Sequence, residues 1–287
     1  MIQDSGMVSK LLYRIMMLLL LFVILGSCNG KHGKSFLPDI PGYSNENRQI
    51  FVLHKQLLEI SGITYNRNGT LSAINDEDGK IFTVDYNERK PASVHFGENN
   101  DYEDIVLVDS NYYVLQSNGE LSIVPVDEPT HSRTIKFPKK RKVEFESVYY
   151  DRSAARIVLL SKEQRLIDEA LVAYSFDPVT ELFSAEPYYI ISLQQVKKLM
   201  KDFSAECKPS AASIHPVLNK LFVIASVGKV LMICSLQGKV ESVYSMNPDL
   251  FPQPEGICFS PRGDMFISNE GLQGKATVIR YDYKPGK

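Results

Sequence analysis

The sequence predicts an all-β fold: a β-propeller of five four-stranded blades, closed by an N-terminal strand and carrying one short inserted helix. Three observations predict it. A hairpin unit recurs along the chain, its period is close to 43 residues, and the last unit is short while an unassigned strand-like segment precedes the first. Six blades is the alternative count.

The clearest unit is residues 253–271. Ile257 and Phe259 alternate with smaller residues, Ser260 to Asp264 has the Pro and Gly chemistry of a hairpin loop, and Ile267-Ser268-Asn269-Glu270 ends the return strand. The start of the first strand and the end of the second are neighbours in an antiparallel hairpin, so Glu255, Asn269 and Glu270 share one rim. Equivalent units begin at Ser61, Glu103, Glu146 and Ala212, and with Glu255 their spacings are 42, 43, 66 and 43. The one long spacing reads as an insertion. Residues 193–203 place Leu193, Val196, Leu199, Met200 and Phe203 at helical spacing after Ser192, a plausible N-cap, and this helix is expected to cover one face of the ring. Ile50-Phe51-Val52-Leu53 can supply the outer strand missing from the last blade; pairing within its own blade is the alternative.

The chain divides into residues 1–27, 28–47 and 48–287. Lys10 and Arg14 precede the apolar run Ile15 to Leu25, which is short for a membrane span and has the layout of a secretory signal. Leu25-Gly26-Ser27-Cys28 resembles a bacterial lipobox, which implies cleavage before Cys28, lipidation of its thiol and a protein held on the membrane at the cell envelope, in the outer membrane or on a periplasmic face. An uncleaved anchor is the alternative. Residues 28–47 are rich in Gly, Pro, Ser, Asn and Lys and read as a tether.

Without residues 1–27 the chain has 30 basic and 33 acidic residues, a balance that argues against a nucleic-acid surface. Lys139-Lys140-Arg141-Lys142 is the only basic run and reads as a solvated loop. Cys207, Cys234 and Cys258 are odd in number and contain no CxxC, so neither a disulfide framework nor a zinc site is indicated. The chain is expected to be a monomer.

In a propeller the innermost strands line a central channel. The repeat alignment brings Glu103, Glu146 and Glu255 to one mouth of that channel, with Ser61 and Ala212 at the two positions lacking a carboxylate. The second-strand ends add Asn75, Asp76, Gln116, Lys162, Ser226, Asn269 and Glu270. Converging carboxylates repel unless compensated. Hard oxygen donors suit Ca²⁺, with Glu103, Glu146, Glu255, Asn75, Asp76, Asn269 and Glu270 as candidate ligands, and Lys162, Gln116 and Ser61 as candidate binding residues. The structural alternative is that these glutamates cap strands or join blades. Asp76-Glu77-Asp78-Gly79 lacks the last glutamate of an EF-hand and reads as a turn. No G-x-S-x-G, H-E-x-x-H or P-loop occurs, and His215, in a His-Pro turn, is expected to be exposed with no nucleophile beside it.

Glu59-Ile-Ser-Gly-Ile63, Asp101-Tyr-Glu-Asp-Ile105, Lys208-Pro-Ser-Ala-Ala212 and Gln253-Pro-Glu-Gly-Ile257 with Ile267-Ser-Asn-Glu270 resemble the SdiA-regulated, YjiK-like family over most of residues 50–283. The resemblance implies a five-bladed propeller in the bacterial envelope, with links to calcium and to phytase-like propellers and no general catalytic mechanism. Two functions follow: a lipid-anchored propeller that binds a ligand or protein partner, with a cation at its mouth, or a Ca²⁺-dependent phosphoesterase. Only Lys162, Arg165 and Lys229 are placed to meet a phosphate, which favours the first.

Overall fold

The computed structural model describes residues 40–86, 90–138, 143–163, 170–200, 206–271 and 274–286. The signal, Cys28, the basic run at 139–142 and Arg165 lie outside these residues. The described part falls within one compact unit, Phe36–Lys287.

Among the described residues, twenty-one strands make five blades. Blade 1 is β2 (Ile60–Tyr65), β3 (Leu71–Asn75), β4 (Lys80–Val84) and β5 (Ala92–His95); blade 2 is β6 (Tyr102–Val108), β7 (Asn111–Gln116), β8 (Leu121–Pro125) and β9 (Arg133–Ile135). Blade 3 is β10 (Glu144–Asp151), β11 (Arg156–Glu163) and β12 (Ala170–Asp177), with its outer position shared by β13 (Leu182–Phe183) and β14 (Tyr189–Ser192). Blade 4 is β15 (Lys208–His215), β16 (Lys220–Val227), β17 (Val230–Cys234) and β18 (Val240–Ser245). Blade 5 is β19 (Pro254–Phe259), β20 (Met265–Asn269) and β21 (Thr277–Tyr281), and β1 (Gln49–Val52) completes it by pairing antiparallel with β21, Gln49 opposite Arg280 and Val52 opposite Thr277. The inner strands β2, β6, β10, β15 and β19 touch in a closed ring. Closure by the N-terminal strand is therefore observed, and it removes the exposed edge an open sheet would leave.

Both faces of the second strand of blade 4 are covered, which is why Leu221 to Ala225 of β16 are all buried rather than alternating. Each of the five apolar clusters fills one gap between neighbouring blades. Phe222, Phe259 and Ile279 mark the gap of blades 4 and 5; Phe82, Cys258 and Phe266 mark that of blades 5 and 1. Cys207, Cys234 and Cys258 are all buried and free. The strands run so that the polar starts of β2, β6, β10, β15 and β19 lie at one end, the mouth; the Ser260–Asp264 turn lies at the other, the floor.

Three expectations change. Helix α1 (Leu193–Leu199) does not cover a face of the ring: it packs against β18 and β12, wedged between blades 3 and 4, because Val196, with Leu193 and Met200, belongs to the apolar cluster of that gap. Ser192 stands at its N-cap but makes no side-chain cap. Within the described end of the expected tether, Ile40, Gly42 and Tyr43 are packed: Ile40 is buried in the apolar cluster between blades 4 and 5, and the Tyr43 hydroxyl donates to the Gly263 carbonyl at 2.6 Å. Gly42, at φ +91°, lets the chain lie against the Tyr283 ring, where a Cβ would come within 2.3 Å. Third, His215 is fully buried, not exposed. Its Nδ1 accepts from the Val217 and Leu218 amides at 3.1 Å, and its ring lies 4.8 Å from that of Phe259 and 4.7 Å from that of Tyr283. Burial pushes its pKa down to about 4.

Candidate functional site

One backbone device builds the mouth. Near its start every inner strand carries a bulge. Tyr102 pairs with Gln116 and Asp104 with Leu115, leaving Glu103 unpaired between them. In the same way Glu146 is left between Phe145 and Ser147, Ser210 between Pro209 and Ala211, and Glu255 between Pro254 and Gly256. In β2 the irregularity spans Ser61 and Gly62. Bulges re-aim a side chain out of the ladder, and here they do so five times around a ring. The ring positions are thus Ser61, Glu103, Glu146, Ser210 and Glu255. The fourth is not Ala212, as the sequence repeat suggested. A slip of two residues preserves the inward–outward alternation of a strand, so the hydrophobic pattern does not register it.

The three glutamates converge. Glu146 is ion-paired with Lys162, from the end of β11. Burial is the main force on all three carboxyls, and each feels at least one other acid. Glu103 is pushed up to about 9, first by burial and then by Glu146 and Asp101, with Lys162 opposing. Glu255 is pushed up to about 7, by burial and then Glu146, against hydrogen bonds from Ser226 and Gln253. Glu146 is raised by burial in spite of Lys162. Although burial works against its charge, the Lys162 ammonium is held above its usual range by Glu146 and Glu103. Lys229 is lowered by burial, with Glu255 opposing; its ammonium donates to the Pro252 carbonyl at 2.6 Å.

The hydroxyl of Ser210 donates to the Pro254 carbonyl at 2.6 Å and so joins blade 4 to blade 5. Ser61 is buried beside Gly62, where a Cβ would stand 2.4 Å from Asp104 Oδ1. Asp104 is a residue that the sequence reading did not single out. Its carboxylate accepts from the Ser147 hydroxyl at 2.8 Å, the Val148 amide at 2.9 Å and the Ile105 amide at 2.8 Å, stitching blade 2 to blade 3; burial still raises it to about 8. Two adjacent acids in Asp101-Tyr-Glu-Asp-Ile105 were the available signal: on a strand, neighbours face opposite ways, so one enters the channel side and the other a blade interface.

The second-strand ends divide. Asn75 is used by the following turn, its Oδ1 accepting from the Asp78 amide at 2.9 Å, which confirms residues 76–79 as a turn. Asn269 donates to Thr277 at 3.2 Å, and its buried Oδ1 has no partner. Gln116 is buried with Oε1 unpartnered. Asp76 and Glu270 form an outer acidic lobe: both are raised by burial first, then Asp76 by Glu59 and Glu77, and Glu270 by Asp76 and Glu59. Gln253 donates to Glu270. The structure thus gathers Glu103, Glu146, Glu255 and Lys162, sets Asp76 and Glu270 beside them, and spends Asn75 on a turn.

The donor set is all oxygen, the kind Ca²⁺ takes, but a Ca²⁺ site needs 6–8 such ligands around one point. Among the described residues no group of three or more His, Cys, Asp or Glu side chains is disposed to hold a metal ion. The Lys162 ammonium serves as internal counter-ion to the ring. A cavity of about 250 Å³ opens elsewhere, between β1 and blade 1, lined by Phe51, Leu53, His54, Leu57 and Tyr86 among others and by none of the ring residues.

The sequence profile of the SdiA-regulated family matches residues 45–271. No curated protein matches the chain. Among solved structures, the glutaminyl cyclase of Myxococcus xanthus superposes with a TM-score of 0.57 at 12% identity, covering 82% of this chain and 95% of that one. A putative gluconolactonase gives 0.54 at 10% identity, covering 80% and 77%. A luciferin-regenerating enzyme gives 0.50 at 11%, covering 82% and 95%. At these identities the likeness is one of fold.

Proposed function

The chain belongs to the SdiA-regulated family, and on that premise we propose that it is a lipid-anchored binding propeller of the cell envelope whose acidic mouth captures a cationic group. The observation that carries the reading is the convergence of Glu103, Glu146 and Glu255 through repeated bulges, with Lys162 as the ammonium paired among them. Burying carboxylates together costs stability, and a bound cation repays it by discharging the repulsion. Ca²⁺ is the metal such oxygens suit; it would compete with Lys162 for Glu146 and take the protons that Glu103 and Glu255 hold near neutral pH off into solution. The phosphoesterase alternative finds little at this mouth: Lys162 is paired to Glu146, and Lys229 is bonded to the Pro252 carbonyl.

Two experiments test the reading. Calorimetric titration with Ca²⁺, and separately with an organic diammonium, should give binding with proton release that Glu103→Gln and Glu255→Gln each weaken. Heat from neither cation, in either variant or in the parent chain, would rule the capture out. For the anchor, Cys28→Ser should move the protein from the membrane to the soluble fraction, and an unchanged distribution would point to an uncleaved N-terminal segment.

A further inference from the structure

We infer that the floor of the propeller is the surface that rests on a lipid bilayer, so that the mouth is presented away from the membrane. The inference depends on the anchoring proposed above and adds an orientation to it.

The chain joins the fold at the floor. The Tyr43 amide donates to the Ile40 carbonyl at 3.0 Å, the Lys284 amide donates to the Gly42 carbonyl at 2.8 Å, and the Tyr43 hydroxyl is tied to Gly263 in the floor turn of blade 5. Only then does β1 run from floor to mouth along β21. The described chain therefore enters the domain at this end, and residues 29–39, which separate Ile40 from Cys28, span about 40 Å at full extension.

The same end carries exposed apolar loop tips on three consecutive blades: Val126 on blade 2, Val179 and Leu182 on blade 3, and Val217 and Leu218 on blade 4. Val179 is 88% exposed. Three of the tips, Val179, Val217 and Leu218, are held in place by side chains. Asp177 Oδ1 accepts from the Val179 amide at 2.9 Å, forming the turn that projects Val179. The buried His215 accepts from the amides of Val217 and Leu218 and so fixes the turn that carries them. An exposed valine or leucine alone is ordinary, but fixed apolar tips ringing the end where a lipid-anchored chain emerges have a use. Shallow insertion of such tips into the acyl boundary adds to the hold of a lipid anchor. The ring glutamates, at the other end, are then free to meet a soluble ligand.

The absence of tryptophan from the sequence makes a direct test possible. Val179→Trp at the floor and Val227→Trp at the mouth each create a single indole at an exposed position. The full lipidated chain is reconstituted in phosphatidylethanolamine–phosphatidylglycerol vesicles containing brominated acyl chains, and the quenching of each indole is measured. Val179→Trp should be quenched at least about twofold more than Val227→Trp, as shallow insertion requires. Leu182→Trp should behave like Val179→Trp, guarding against one poorly folded variant. Equal quenching, or stronger quenching at Val227→Trp, in protein that sediments with the vesicles would overturn the orientation while leaving the anchor intact. Failure of the parent chain to sediment with vesicles would overturn the anchoring and this inference with it.

Discussion

At the floor, Asp264 meets the Arg280 guanidinium at 3.2 Å and accepts from the Tyr283 amide at 3.1 Å, and His215 sits neutral in an aromatic box with its Nδ1 doubly bonded. At the mouth, Glu103 faces Glu146 and Glu255 with Lys162 set among them. Both ends are built from hairpin termini of the same five blades, yet one sets its buried acid against a guanidinium and the other leaves acids in excess. The contrast separates tasks. The floor closes the ring and holds the N-terminal segment. The mouth keeps charge that the fold itself does not need, and such unmet electrostatic cost is where a ligand finds its binding energy.

The largest effect should come from breaking the closure that both ends share. Deleting residues 48–57 removes β1 and opens the blade-5 edge; thermal unfolding should lose its cooperativity. A sharp, unshifted transition would separate closure from stability. At the floor, Ile40→Ala should cost about 3 kcal/mol in urea unfolding, since Ile40 is fully buried in the apolar cluster between blades 4 and 5. A loss below about 0.5 kcal/mol would mean the segment contributes nothing to the fold. At the mouth, Lys162→Met should cost about 2 kcal/mol, less than for a fully buried pair because Lys162 is half-exposed, and added Ca²⁺ should restore part of it. A neutral substitution would show that the acids are solvated well enough to need no counter-ion. The smallest effect, taken per pH unit, is titration of the floor. With its pKa at about 4 in the fold and near 6.5 in the unfolded chain, His215 binds its proton more readily when unfolded, so stability falls by up to about 1.4 kcal/mol per unit as pH drops from 6.5 to 4. His215→Gln should remove that slope, as read from melting temperatures across the range.

The blades were legible because their inner hairpins are apolar and the hairpin chemistry repeats near 43 residues, so Ile257 and Phe259 and their counterparts announce themselves. The short last unit told of closure for a topological reason: a ring of strands must be completed by whatever apolar strand remains, here Ile50 to Val52. What was hidden depends on distance in space. The identity of Ser210 as ring residue needs the bulge, and a two-residue slip leaves alternation unchanged. His215 looked exposed because a His-Pro turn is usually solvated; its burial comes from Tyr43 and Tyr283, from opposite ends of the chain. Asp104 holds two blades together through Ser147 and Val148, which no local pattern reveals. The acidic mouth was visible as residue types, whereas the pairing of Glu146 with Lys162 and the use of Asn75 in a turn were not.

The central claim, that the mouth carries a standing charge cost, is tested most directly by folding free energy measured from pH 5 to pH 9 in the absence of divalent ions. Glu103 and Glu255 have folded-state values raised to about 9 and about 7, so the folded chain keeps protons that the unfolded chain has released above about 4.5. Their contribution is present at low pH and is lost as pH rises through 7 and on to 9. Stability of the parent chain should therefore decline across this range, and Glu103→Gln combined with Glu255→Gln should flatten the decline and leave the protein more stable at pH 8. A flat curve for the parent chain, or a double variant less stable at pH 8, would contradict the account.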